Sequence, residues 1–158
     1  MTVINRPFVG IPSFLRAPVS DDPAVLARAA VAVLGVPFDE GSPFLPGSRM
    51  GPRAIREHSL RFPSDGIYDP DTGESFLERE LGGRLIVDAG DVDIRPANSA
   101  RTFEVITERV RAIVEAGAFP VVLGGDHSIT YPIFEGLATP AHVIQFDAHQ
   151  DFSDIDSE

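Results

Sequence analysis

The densest group of chemically capable side chains stands near residue 150, in the segment Asp147-Ala-His-Gln-Asp151. Residues two apart in an extended segment point the same way, so Asp147, His149 and Asp151 are predicted to face one point. Converging carboxylates repel one another unless a cation compensates their charge. The spacing therefore predicts a metal site. The competing interpretation is an exposed strand end whose charges are simply solvated.

A further candidate ligand lies some twenty residues earlier, in the segment Gly124-Gly-Asp-His-Ser128. Paired glycines permit a sharp turn from a strand into a helix, and His127 can serve as a neutral imidazole ligand. Asp126 is predicted to orient that imidazole, and capping of the following helix is a competing role for it. Carboxylate and imidazole ligands without sulfur suit Mn²⁺.

The elements that must position these residues alternate between buried strands and helices. The predicted strands cover residues 30–36, 85–88, 119–123 and 141–147, and the predicted helices cover residues 51–61, 99–115 and 128–137. Such alternation predicts an α/β domain with a parallel sheet, right-handed crossovers and helices on the sheet faces. The Asp-, Gly- and Pro-rich stretch 62–83 is predicted to be a surface excursion with at most short strands.

Three more acidic residues follow predicted strands directly. Sites in parallel sheets lie beyond the carboxyl ends of the strands, which brings Asp39, Asp88 and Asp91 to the same rim as the candidate ligands. Asp88 and Asp91 are interpreted either as supporting residues around the site or as turn formers. Neither role is favoured over the other by the sequence.

The remaining histidines and the nearest cations are predicted to have ordinary roles. His58 stands on a predicted helix and His142 opens a predicted strand, so both are interpreted as surface or structural residues. Arg49, Arg53 and Arg56 form a small basic group. They are predicted to be solvated or to contact another subunit rather than to bind an anion.

Length and composition restrict the class of protein. A chain of 158 residues with 43% hydrophobic content predicts one domain over residues 1–158. A net charge of −11 without a block of cations argues against a nucleic-acid partner. The absence of Cys excludes disulfides and thiolate chemistry. No signal core or membrane-length apolar stretch is present, so a cytoplasmic location without a membrane partner is expected.

The two candidate ligand segments together resemble the first two signature motifs of the ureohydrolase family, which includes arginases and agmatinases. Further segments are more similar to the agmatinase-like branch than to the arginase branch: Phe14-Leu-Arg-Ala-Pro18, Gly35-Val-Pro-Phe-Asp39, residues 46–56 and Asp88-Ala-Gly-Asp91. The likeness covers nearly the whole chain apart from residues 63–83. It implies a three-layer α-β-α, arginase-like fold, with this chain as its amino-terminal part, truncated after about the fourth strand.

The resemblance also implies a ligand set and a reaction. His127, Asp147 and Asp151 would bind one Mn²⁺, and Asp147 and His149 would bind a second. A hydroxide bridging the two ions would attack the guanidinium carbon of agmatine or a similar small guanidino compound, giving urea and an amine. The resemblance implies a homo-oligomer for the complete protein.

The family pattern includes a later proton-shuttling His and a later Asp-x-Asp pair, and neither motif is found in its family position here. The catalytic residues therefore stay unassigned. Asp154 and Asp156 have the spacing of the pair and could substitute for it. The alternatives are a non-catalytic, truncated ureohydrolase fragment and an arginase or guanidinobutyrase activity.

Overall fold

The computed structural model describes residues 10–63, 65–149 and 151. Its strands are β1 (Val31–Val36), β2 (Ile67–Asp69), β3 (Glu74–Phe76), β4 (Ile86–Asp91) and β5 (Phe119–Gly124). Its α-helices are α1 (Pro23–Leu26), α2 (Gly51–Ser59), α3 (Glu78–Gly82), α4 (Ser99–Glu115) and α5 (Thr130–Leu137). Short 3-10 turns occupy Phe14–Arg16, Ser48–Met50 and His127–Ile129.

β1 is the centre of a three-stranded parallel sheet with the order β4-β1-β5. Its six residues form an uninterrupted apolar run, and the last five of them are buried. Continuous apolar runs are typical of strands covered on both faces, so the predicted parallel α/β sheet is confirmed. The β1–β4 pairing contains an irregularity between Val33 and Gly35, which shifts the register so that Gly35 lies opposite Asp91.

Alternation of side chains along β1 assigns one packing layer to each face of the sheet. Leu34 and Val36 pack against Ile106 and Val110 of α4 in the larger core cluster. Val33 belongs to a second cluster, whose buried members include Leu15, Ala17, Ile86 and Leu123. Helices therefore cover the first face, while the second is covered by residues 14–17 together with α2 and α3. This is the three-layer arrangement that the sequence predicted.

The helix predicted at residues 99–115 has those limits in the structure. The side chain of Asn98 accepts a hydrogen bond from the backbone N of Arg101 at 3.0 Å and so caps the start of α4. Gly117, with φ +87°, ends it in the left-handed conformation that favours glycine. None of the described helices combines the length and the apolarity needed to cross a membrane.

The excursion between α2 and β4 contains more regular structure than the sequence predicted. β2 and β3 form an antiparallel hairpin, which agrees with the prediction of short strands. α3 was not predicted, because a five-residue helix carries too little periodicity to detect. Leu81 of α3 packs against the second core cluster and so fastens the excursion to the sheet.

The fourth strand predicted at residues 141–147 is wrong. The structure assigns no strand to these residues. Val143, Ile144 and Phe146 are 61%, 82% and 97% exposed. The apolar run indicated burial, but a strand also needs a partner. Among the described residues, neither edge of the sheet pairs with this segment.

Candidate metal centre

The ends of β1 and β5 meet at the carboxyl edge of the sheet. The next strand of this sheet along the chain, β4, lies on one side of β1, whereas β5 lies on the other side. In parallel α/β sheets, ligands bind beyond the carboxyl ends of the strands at such a change of direction. The two exits are joined directly, because the backbone N of Asp126 donates to the carbonyl of Phe38 at 2.8 Å. The Phe38 ring is buried against Phe103 of α4, with ring centroids 5.5 Å apart.

The turn that presents His127 depends on a glycine. Gly125 has φ +43°, and a Cβ on it would lie 2.5 Å from the carbonyl oxygen of Phe38 and 2.6 Å from that of Val36. A side chain therefore cannot be accommodated there without moving the end of β1. This is the sharp strand-to-helix turn that the paired glycines predicted, and His127 begins the 3-10 turn that follows.

Three of the four predicted metal ligands converge. His127 Nδ1 lies 2.6 Å from Asp151 Oδ2 and 3.3 Å from Asp147 Oδ2. One ligand atom from each of the three residues lies within 4.8 Å of the others, and all three residues are exposed. We call His127, Asp147 and Asp151 the His127 cluster.

The atoms of the His127 cluster fit a divalent cation. Ligand atoms bound at about 2.0–2.1 Å in octahedral geometry lie roughly 3–4 Å from one another. The 3.3 Å pair falls in that range, and the 2.6 Å pair, at a hydrogen-bonding distance, would open slightly around an ion. One imidazole nitrogen with carboxylate oxygens and no sulfur is a donor set that suits Mn²⁺ and similar ions.

Asp147 is held in its ionised form. Its Oδ1 accepts a hydrogen bond from the backbone N of His149 at 3.0 Å. That backbone hydrogen bond contributes most to lowering the pKa of Asp147, and the nearby His127 also lowers it. A carboxylate is the form that binds metal, so the local backbone favours the binding form.

Residues 147–149 bend back rather than run extended, so the extended geometry predicted there is wrong. Asp151 has φ +46°, in the left-handed region, and Asp147 bonds back to residue 149. Asp147 and Asp151 both reach His127, whereas the His149 side chain is not part of the cluster. The assignment of His149 as a metal ligand stays a prediction.

Asp126 caps the turn that follows it. Its Oδ1 accepts from the backbone N of Ser128 at 3.0 Å and from the Ser128 hydroxyl, and its Oδ2 accepts from the backbone N of Gly41 at 2.7 Å. The capping role named as a competitor is therefore present. Orientation of the His127 imidazole by Asp126 stays a prediction.

Arg56 is buried in an ion-pair network, which corrects the prediction of a solvated or subunit-contact residue. Its guanidinium donates to both oxygens of Asp88, from Nε at 2.7 Å and from Nη2 at 2.8 Å. It also donates to Asp91 Oδ1 at 2.6 Å. Arg56 lies four residues after Pro52 and three before Ser59, the other buried positions of α2. This helical spacing is the sequence signal that could have placed it inside.

The network holds Arg56 and Asp88 in their charged forms. Burial alone would raise the pKa of Asp88, but hydrogen bonds from Arg56 and from the backbone of Phe14 and Gly90 outweigh burial and hold that pKa below its usual value. Burial likewise opposes the charge of Arg56, while Asp88 and Asp91 together raise its pKa. Asp88 and Asp91 therefore join α2 to β4 and take no part in the His127 cluster.

Asp39 closes a loop at the end of β1. Its Oδ2 accepts from the backbone N of Gly47 at 2.7 Å and of Arg49 at 3.2 Å. The Arg49 guanidinium forms an ion pair with the same carboxylate and is the largest cause lowering the pKa of Asp39. Arg49 is thus partnered, although its side chain is 54% exposed.

The other candidates do not join the cluster. His58 and His142 are exposed, and neither belongs to a potential metal-binding group in the described part of the chain. Arg53 is exposed and pairs with Glu57 one helical turn away, which agrees with the prediction of a solvated cation. Asp154 and Asp156 lie outside the described residues.

The chain belongs to the arginase family. The sequence model of that family matches residues 29–158. The chain is 38% identical over 154 residues to the human guanidino acid hydrolase, mitochondrial, which aligns with 96% of this chain and 41% of the relative. It is also 38% identical over 155 residues to the chicken agmatinase, mitochondrial, covering 96% of this chain and 42% of that protein.

A solved structure supports the same relationship. The fold matches proclavaminate amidino hydrolase from Streptomyces clavuligerus with a TM-score of 0.68 and 30% sequence identity, covering 84% of this chain and 41% of that one. The chain therefore has an arginase-like fold and spans about two fifths of the length of the relatives it matches.

Proposed function

We propose that this polypeptide is a manganese-dependent ureohydrolase of the agmatinase type, which hydrolyses a guanidino compound to urea and an amine. The observation that carries the proposal is the His127 cluster, in which ligand atoms of His127, Asp147 and Asp151 lie within 4.8 Å of one another. It stands at the carboxyl edge of a sheet whose fold and sequence are those of the arginase family.

The metal would be held by His127, Asp147 and Asp151, with His149 as a further ligand and two Mn²⁺ ions in the complete site. When bound, such cations would lower the pKa of a coordinated water to near neutral and would stabilise negative charge that develops in the reaction. The chain supplies an ionised Asp147, a rigid turn that carries His127, and carboxylates that face solvent.

The reaction balances with water as the only co-reactant. Water adds to the guanidinium carbon, and the bond from that carbon to the substituted nitrogen breaks. The departing nitrogen carries one hydrogen in the guanidinium and takes up both protons of water, so the amine leaves as an ammonium ion. The two NH2 groups of urea keep the hydrogens that they had in the guanidinium. Exposed carboxylates beside the site attract the planar cation before this step.

Agmatine suits the charge of this chain better than a guanidino acid does. Agmatine carries two positive charges, whereas a guanidino acid is a zwitterion, and the chain has a net charge of −11. Relatives are named for both substrate classes, agmatine and guanidino acids. A homo-oligomer and a cytoplasmic location stay predictions.

A second candidate is metal binding without catalysis. It is favoured by the exposure of the His127 cluster and of the neighbouring apolar residues Ile144 and Phe146. Electrostatic interactions with a reacting substrate are stronger in a site from which water is excluded. The two candidates differ in whether bound metal leads to urea release.

The deciding experiment measures urea released from agmatine, arginine and 4-guanidinobutyrate by the purified chain with added Mn²⁺, alongside calorimetric Mn²⁺ binding. Urea release that needs Mn²⁺ and is lost in Asp147→Asn supports hydrolysis, and His149→Ala tests the fourth ligand. Metal binding without urea supports the second candidate. A chain that neither binds Mn²⁺ nor releases urea contradicts both candidates. The matched control is His142→Gln, which changes an exposed histidine outside the cluster and should behave as the parent does.

A further inference from the structure

The loop of residues 39–50, which connects β1 to α2, is closed at its base by one carboxylate. Asp39 accepts hydrogen bonds from the backbone of Gly47 and Arg49, so residues eight and ten positions apart are held together. The loop tip is apolar and open to solvent, with Phe44 85% and Leu45 74% exposed. The base of the loop is therefore held by Asp39, while its tip faces solvent.

A second carboxylate connects this loop to the turn that carries His127. Asp126 accepts the Gly41 N–H with Oδ2 at 2.7 Å and the Ser128 N–H with Oδ1 at 3.0 Å. The backbone N–H of Asp126 donates a hydrogen bond to the carbonyl of Phe38. Asp126 thus bonds to residues that follow β1 and to a residue that follows β5.

The loop and the turn approach each other too closely for a side chain at two glycines. A Cβ on Gly41 would lie 2.9 Å from Asp126 Oδ2 and 2.9 Å from Ser128 Oγ. A Cβ on Gly51 would lie 2.5 Å from the carbonyl oxygen of Gly124. Contact is therefore made at both ends of the loop, directly beside the residues that precede His127.

We propose that Asp126 is a positioning residue, which sets the orientation of His127 by joining the loop 39–50 to the His127 turn. Its Oδ2 is satisfied only while the loop and the turn hold their observed relation, whereas its Oδ1 bonds within the turn. His127 is the next residue along the chain, so freeing this carboxylate frees the imidazole that meets Asp147 and Asp151. The inference rests on the proposed metal-binding function.

The coupling acts in both directions. If the loop sets the metal affinity of the His127 cluster, metal bound at the cluster stabilises the loop by the same free energy. Three backbone N–H groups report the stability of the loop, because each donates to a carboxylate that holds the loop in place. Gly41 donates to Asp126, and Gly47 and Arg49 donate to Asp39. Added Mn²⁺ is expected to slow their hydrogen exchange.

The test uses Asp126→Asn, which keeps one oxygen acceptor but replaces the other with an N–H donor. Whichever way the amide is oriented, it loses either the Gly41 bond or the Ser128 bond. Mn²⁺ affinity measured by calorimetry should fall about tenfold or more, as it does when residues supporting metal ligands are changed. Gly41→Ala should act in the same direction, whereas Gly82→Ala, with no atom near its added Cβ, should stay within about twofold.

A second readout needs no metal. Nitrogen NMR spectra of the imidazoles in the metal-free chain should show shifted His127 signals in Asp126→Asn, with those of the exposed His58 unchanged, while hydrogen exchange at Gly41 becomes faster. Unchanged His127 signals, or unchanged exchange at Gly41, would overturn the proposal. If the parent chain bound no Mn²⁺, the proposed function would fail and the imidazole spectra would still decide the positioning role.

Discussion

Arg56 and Asp88 form a two-bond ion pair inside the protein. The separations are 2.7 Å and 2.8 Å, and the two side chains are only 8% and 2% exposed. The pair connects α2 to β4, two elements that the sequence separates by the whole hairpin excursion. It is therefore a buried polar contact that joins α2 to an edge strand of the sheet.

Removing the cation alone should destabilise the fold strongly. Arg56→Met leaves the Asp88 carboxylate buried without its partner, which typically costs about 3–5 kcal/mol. Arg53→Met on the same helix removes only an exposed pair with Glu57, worth about 0.5 kcal/mol or less. Urea unfolding monitored by circular dichroism measures both variants. Equal losses in the two would contradict the assigned burial of Arg56.

The same pair predicts a pH dependence. The folded pKa of Asp88 is lowered, so its contribution to stability is present above its unfolded pKa of 3.8 and is lost as the pH falls through the folded value. The difference in unfolding free energy between the parent and Asp88→Asn should be large at neutral pH and should shrink below pH 3.8. Denaturant unfolding over a pH series measures it. A difference independent of pH would rule out titration of Asp88 as the cause.

Gly35 should tolerate no side chain, because Asp91 and Arg56 occupy the space beside it. A Cβ there would lie 1.8 Å from Asp91 Oδ1 and 2.9 Å from Arg56 Nη1. Gly35→Ala is expected to lower the unfolding free energy by about 1–3 kcal/mol, as overpacking usually does. The double variant with Asp91→Ser should recover part of the loss, since the shorter side chain vacates the space. Failure of this rescue would place the cause elsewhere.

Elements with strong local patterns could be predicted from the sequence, and elements defined by a partner could not. The continuous apolar run at β1 and the apolar stripe of α4 fixed those elements almost to the residue. Residues 141–147 carry a similar apolar run, yet Phe146 is 97% exposed, because local hydrophobicity says nothing about which strand is available for pairing.

The site divides in the same way. His127, Asp147 and Asp151 were identified from motif spacing, and the structure brings them together. The partnership of Arg56 with Asp88 was missed because it joins residues 32 apart in sequence through tertiary packing. The role of Gly41 was not foreseen either, since its bond to Asp126 spans 85 residues.

Substitution within the His127 cluster should affect metal binding far more than stability. Asp147→Asn and Asp151→Asn each remove an anionic ligand, so Mn²⁺ affinity should fall at least about tenfold, by comparison with the loss from changing supporting residues alone. In the metal-free chain these side chains face solvent, so thermal stability should stay close to that of the parent. Calorimetric titration and a melting curve measure the two effects on one preparation. A marked loss of thermal stability in the metal-free chain would mean that these carboxylates serve the fold. His58→Gln, which lies outside the cluster, should change neither quantity.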